Sequence, residues 1–179
     1  MQLELIFANI ESIVALTEEE RQIFAACLSE VKVAKRQVLL KAGEICKGSY
    51  FVNSGCLRNY KLNQKDDEHV LYFSVSGWWS GDLYSLLSGQ PGDTFIDALE
   101  DSSLLFLPIE EQEKLYTLVP KFERFFRIIL QRSVVANQAK SYNLMSQTAQ
   151  QRYENFLVRY PDLEMRISQK HIASYIGVT

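Results

Sequence analysis

The chain has 179 residues, 47% of them apolar, and a formal net charge of −3 at neutral pH. That length holds one large domain or two small ones, and the apolar share suffices for a packed core. No apolar run nears the roughly 18 residues that span a bilayer. The opening "MQLELIFANIESIVAL" has neither a basic leader nor a small-residue cleavage site, so the expected location is cytoplasmic.

The charge is unevenly spread. Residues 1–119 carry 10 basic and 18 acidic side chains, and residues 120–179 carry 9 and 4. A basic tail behind an acidic body suits an anionic partner, or simply a solvated helix surface. The cysteines Cys27, Cys46 and Cys56 are odd in number and share no C-x-x-C spacing. They read as free thiols in a reducing compartment, with a meeting of Cys46 and Cys56 across a hairpin left open.

In chain order, residues 1–30 are predicted to be helical. "TEEE" at 17–20 fits a capping box, in which Thr17 and Glu20 bond each other's backbone amides. Ile23, Phe24, Cys27 and Leu28 then recur at helical spacing. From Val31 the pattern changes to short Val/Ile/Phe/Tyr/Leu runs separated by Gly43, Gly48, Gly55, Gly77 and "GQPGD". Such spacing predicts a β-sandwich or barrel. "QKDDE" at 64–68 reads as an exposed hairpin tip.

Helical character returns near residue 111. "PKFERFFRIILQRSVVANQAKSYNLMS" has no glycine and no proline after Pro120, which suits a helix start. About 25 helical residues extend roughly 38 Å, more than a small barrel covers. The stripe Phe122, Phe126, Ile129, Ser133, Ala136 is therefore assigned to a twofold contact with a second copy, packing along the chain's own barrel being the other possibility. "TAQQRYENFLVRYPDL" forms a shorter helix stopped by Pro161.

The closing "ISQKHIASYIGVT" places Ser168 at an N-cap and Ile172, Tyr175 and Ile176 on a buried face. Gly177 sits where a left-handed turn residue belongs, and Thr179 is again a capping type. Helix, glycine turn, apolar plug and cap form the first half of a helix-turn-helix. The base-reading helix is then expected beyond Thr179, which makes the sequence incomplete at its C-terminus.

Barrel, long helix and "RISQKHIASYIGVT" together resemble the cyclic-AMP-receptor-like (Crp/Fnr) family of bacterial transcription factors. "KAGE" at 41–44 and "YFVNSGCLRNY" at 50–60 match the family's hairpin turns. The resemblance implies an α+β fold: an N-terminal jelly-roll (double-stranded β-helix) sensor barrel resembling a cyclic-nucleotide-binding domain, a long dimerisation helix, and a partial C-terminal winged helix-turn-helix. Its boundaries fall at 1–110, 111–145 and 146–179. It implies a homodimer and double-stranded DNA as partner, RNA polymerase as a further one, and an unknown small-molecule effector. It places Ser168, Gln169 and Thr179 at DNA-phosphate positions, with Lys170 adding charge nearby.

The family's nucleotide cassette opens with Gly-Glu and closes with Arg-Ser or Arg-Thr. Here Gly81-Asp82-Leu83 takes the opening and Asp93-Thr94 the close. At about 4 Å and an effective dielectric of 20, exchanging attraction for repulsion of about 4 kcal/mol each way removes the phosphate clamp. No other Lys or Arg lies between Lys65 and Lys114. The cassette is therefore read as degenerate, without cyclic AMP bound in the family manner. A neutral or apolar ligand near Tyr72, Phe73, Trp78 and Trp79 competes with the simpler reading that these rings fill the core.

No cofactor and no metal site is expected. An iron–sulfur sensor needs about four cysteine ligands against the three here. His69 reads as a strand-surface residue and His171 as packing or solvent-facing. One barrel histidine cannot supply the metal set of an enzymatic barrel, and no catalytic motif is present. The chain is read as a DNA-binding transcriptional regulator, not an enzyme. The alternative is a stand-alone dimeric ligand-binding or interaction module without DNA binding.

Overall fold

Thr17 sets the first boundary. Its hydroxyl accepts from the Glu20 amide at 3.2 Å, and the Glu20 carboxylate accepts from the Thr17 amide at 2.7 Å. This capping box starts α2 (Glu18–Ala26) afresh, so the predicted helical region is split into α1 (Glu4–Glu11) and α2. The computed structural model describes residues 1–178.

Eight strands follow: β1 (Ser29–Val33), β2 (Val38–Leu40), β3 (Gly48–Ser54), β4 (Cys56–Leu62), β5 (Glu68–Val75), β6 (Trp79–Ser80), β7 (Phe95–Ala98) and β8 (Ser102–Pro108). They pair antiparallel into two four-stranded sheets, ordered β1-β8-β3-β6 and β2-β7-β4-β5. A helical turn, α3 (Leu83–Ser88), interrupts the series. The "QKDDE" segment is the β4–β5 hairpin tip, where the Asn63 carboxamide oxygen accepts from the Lys65 and Asp67 amides. Gly55 makes the tight β3–β4 link at φ +102°, and a Cβ there would lie 2.1 Å from the Ser102 hydroxyl oxygen.

Period-two alternation sorts the strands into faces. Val33, Leu40, Val52, Leu57, Ile96, Ala98 and Leu104 pack between the sheets. On the outer side of the first sheet, Phe51, Leu105 and Leu107 meet Ile6, Ile10, Phe24, Leu115, Phe122 and Phe125. The outer side of the second sheet offers Cys56, Tyr60, Val70 and Phe73 to the C-terminal helices.

Those helices are α4 (Ile109–Leu118), α5 (Lys121–Ser146), α6 (Ala149–Arg159) and α7 (Gln169–Ile176), with a short 3-10 turn at Leu163–Met165. The 26 residues of α5 extend about 39 Å. Its first turns bury Phe122 and Phe125, and Phe122 stacks on Phe24 at 4.8 Å between ring centroids. Each such buried ring contributes about 1.5–3 kcal/mol. No helix among the described residues is long and apolar enough to cross a membrane.

The stripe assigned to a second copy is corrected in its first half. Phe122 is completely buried within its own protomer, Phe126 lies against Trp79 and Tyr116, and Ile129 packs on the same cluster. Helical spacing shows that a face is apolar but not which surface covers it; Phe24 of α2 covers Phe122, while Trp79 and Tyr116 cover Phe126. Ser133 and Ala136 are half-buried, whereas Val134, Val135, Tyr142, Leu144 and Met145 are exposed farther along α5.

Candidate functional site

The cassette folds as a loop closed over its own helix start. Asp82 caps α3, its Oδ1 accepting from the amides of Tyr84 at 3.1 Å and Ser85 at 3.4 Å. Its Oδ2 is buried without a protein partner, and a Cβ on Gly92 would lie 2.0 Å from it. The Gly43 amide donates to the Gly92 carbonyl at 2.8 Å, tying the loop to the "KAGE" turn. Gly81 accepts from the Tyr72 hydroxyl at 2.7 Å through its carbonyl. Leu83 is partly exposed and Thr94 buried.

Asp93 points into solvent, its side chain 90% exposed, with the Lys61 ammonium 3.9 Å away. Sequence reasoning missed this cation because it scanned only the loop's neighbours along the chain. Pairing of β4 with β7, Tyr60 opposite Phe95, brings Lys61 to the loop from across the sheet. Lys61 engages Asp93, so its charge is directed at an acid where the family cassette presents a free cation.

Three of the four aromatics near the loop serve packing, and the fourth, Tyr72, is held by its bond to Gly81. Trp79 meets Phe51, Phe125 and Phe126, while Trp78 meets Tyr160. Phe73 meets Phe156, Tyr160 and Tyr175. Cyclic AMP should therefore leave the melting temperature unchanged in a thermal-shift titration. A site filled at 100 times its dissociation constant would add about 2.7 kcal/mol and be readily seen.

A second constellation joins α7 to the barrel. Arg58 on β4 is buried on the outer face of the second sheet. Its Nε and Nη2 grip Asp97 on β7 at 3.0 and 2.6 Å, a bidentate pair, and Nη1 donates to Glu68 at 2.6 Å. Nη1 also lies 3.1 Å from His171 Nδ1 on α7. A guanidinium only donates, so Nδ1 accepts and the ring is neutral with its proton on Nε2. Burial, then the Arg58 charge, lowers the His171 pKa. Burial pulls Arg58 down too, but its bonds to Asp97 and Glu68 outweigh this and hold it above its ordinary value. Sequence reasoning read His171 as packing or solvent-facing and did not single out Arg58, Glu68 or Asp97; strand pairing across 39 residues of sequence unites Arg58 with Asp97.

β5 is an edge strand, and the C-terminal helices satisfy its open backbone groups. The Ser174 hydroxyl accepts from the Val70 amide at 2.9 Å and donates to the Glu68 carbonyl at 2.6 Å. The Lys140 ammonium on α5 donates to the carbonyls of Val70 and Leu71. The Tyr160 ring is wedged against Phe73, Trp78, Phe156 and Tyr175, and its hydroxyl oxygen accepts from the Phe73 amide at 3.3 Å.

At the free end of this docked unit, the Ser168 hydroxyl accepts from the His171 amide at 3.4 Å and opens α7. Gly177, at φ +71°, ends it. The Val178 amide donates to Ala173 and the Gly177 amide to Ser174, the double bond pattern of a Schellman stop. Val178 packs on the cluster beneath. Ser168, Gln169 and Lys170 are all exposed. Thr179 lies outside the described residues.

The thiols are free and lie in three separate packing clusters. Burial raises all three, Cys56 to about 12, so none is poised as a thiolate. His69 is exposed, its Nε2 beside the Asn63 amide.

Residues 30–117 match the family of the cyclic nucleotide-binding domain. The chain is 26% identical over 161 residues to the fumarate and nitrate reduction regulatory protein of Vibrio cholerae, covering 82% of this chain and 62% of that one. The protein of the same name from Escherichia coli K12 is 22% identical over 158 residues, at the same coverage. The chain thus spans about 62% of the length of these curated relatives. Among solved structures, FixK2 from Bradyrhizobium japonicum superposes with a TM-score of 0.75 at 21% identity, covering 85% of this chain and 78% of that one. The catabolite activator protein of Thermus thermophilus gives 0.64 at 20%, covering 92% and 79%. These likenesses establish the shared fold.

Proposed function

We propose that the chain is a regulator of the Crp/Fnr family of transcriptional regulators, working as a homodimeric, DNA-binding protein without catalytic activity. On this reading residues 1–110 are the sensor barrel, 111–145 the dimer helix and 146–179 the start of the DNA-binding unit. One observation carries it: a Ser168-capped helix stopped by a left-handed Gly177, with Ser168, Gln169 and Lys170 exposed at its front. A helix N-terminus with a hydroxyl, a carboxamide and an ammonium suits phosphate oxygens. Docked α7 couples this front to the barrel through Arg58 and Ser174, which gives a barrel ligand a route to its position.

The length of α5 from Ile128 onward supplies the partner surface. Ile128, Val135 and Tyr142 recur every seven residues, the spacing of a helix-on-helix seam, and Met145 extends the exposed apolar face. Sedimentation equilibrium should return twice the 20.6 kDa mass of one copy. A monomer at every concentration tested would refute the dimer.

A further inference from the structure

Between α5, α6, α7 and β5 lies a cleft of about 230 Å³, room for roughly eight waters at about 30 Å³ each. Three cations line it: Lys140, Arg152 and Arg159. The carboxamides of Asn137, Asn143 and Asn155 join them, and no carboxylate is among its lining residues. None of the three cations has a salt bridge among the described residues.

What they touch instead is neutral. Lys140 is bound to the backbone carbonyls of Val70 and Leu71 and lies 4.0 Å from the centre of the Tyr175 ring. Arg152 donates to the carbonyls of Ile176 and Gln147, both at 2.6 Å. Arg159 stands over Trp78 and donates to the Tyr160 hydroxyl oxygen at 3.3 Å. Dipoles and rings orient these groups, and no carboxylate of the lining neutralises them. Clustered charges of one sign in a concave, partly desolvated wall focus a positive potential into the cleft.

We propose that this cleft binds a small multivalent anion, a polycarboxylate or phosphate compound, at the junction of the long helix, the C-terminal helices and β5. The site lies outside the Gly81–Thr94 cassette. Lys140 supports it independently: burial first, and the charge of Arg159 second, bring its ammonium down to about 7. An anion between these cations screens the repulsion from Arg159 and offsets the cost of burying the Lys140 charge. Because the cleft walls belong to three helices and the edge strand, its occupant holds them together; calling it a regulatory effector rests on the regulator reading above, whereas the binding itself does not.

Isothermal titration of the protein with citrate and with inorganic phosphate, at constant ionic strength set by sodium chloride, tests it; glycerol is the uncharged control. Saturable binding of one anion per protomer is expected, weakened at least tenfold by Lys140→Met and by Arg159→Gln. Arg159 is exposed at the mouth, so its variant folds even if the Lys140 variant does not. Binding of citrate alone identifies a carboxylate ligand, of phosphate alone a phosphate compound, and of both a general anion site. No saturable binding by either, or equal affinity in the parent and the Arg159→Gln protein, overturns the proposal. DNA retention is measured separately, so a failure here is distinct from a failure of the regulator reading.

Discussion

Replacing Arg58 with alanine should lower the unfolding free energy by about 3–5 kcal/mol, the usual cost of stranding one partner of a buried ion pair. The reason is local. Asp97 is only 8% exposed, and Arg58 supplies both of its short charged bonds. Glu68 and His171 lose the same donor. A lysine cannot replace it, since one ammonium cannot reproduce the Nε and Nη2 fork on a carboxylate. Glu68→Gln should cost much less, because Glu68 is partly exposed and the new carboxamide oxygen still accepts from Arg58. Urea denaturation checks both. The Arg58 variant should also expose α6 and α7 to protease sooner than the barrel. A loss below 1 kcal/mol would mean that the network is not a structural hinge between barrel and C-terminal unit.

The second large effect is expected midway along the long helix. Val135 is 65% exposed in the single protomer and lies seven residues from both Ile128 and Tyr142. In a twofold seam two copies of Val135 bury each other's side chains, each contributing about 1.5–3 kcal/mol. Val135→Glu removes that burial and sets two like charges face to face. Dimer affinity should fall by at least about 3 kcal/mol, more than roughly a hundredfold, while the monomer melts almost as before because Val135 packs little within its own protomer. Sedimentation reads the first outcome and calorimetry the second. Unchanged dimer mass would place the seam elsewhere.

Local chemistry was legible from the residues alone. Thr17 and Glu20, "QKDDE", and the Ser168–Gly177 frame depend on neighbours within about ten positions, and the structure forms all three. A sandwich or barrel of short strands and the long helix were legible as patterns of period and punctuation, and the resemblance supplied the jelly roll and its assembly. Pairings between distant segments were not. Phe122 gives no sign in sequence that Phe24 will stack on it. Lys61 is remote from Asp93 in sequence but near it across the sheet. Arg58, Glu68, Asp97 and His171 come from three strands and a helix, and no spacing rule links them. Nothing near Lys140 in the sequence foretells its burial; the edge of β5 explains it.

On the proposed function, the helix capped by Ser168 and stopped by Gly177 opens a device that grips duplex DNA from a twofold dimer. Its most direct test is footprinting of genomic fragments retained by the product of the whole gene. Two protected half-sites, inverted and centred about 34 Å apart on one face of the duplex, are the predicted result; retention no better than for random sequence, at salt low enough to favour every phosphate contact, would contradict it.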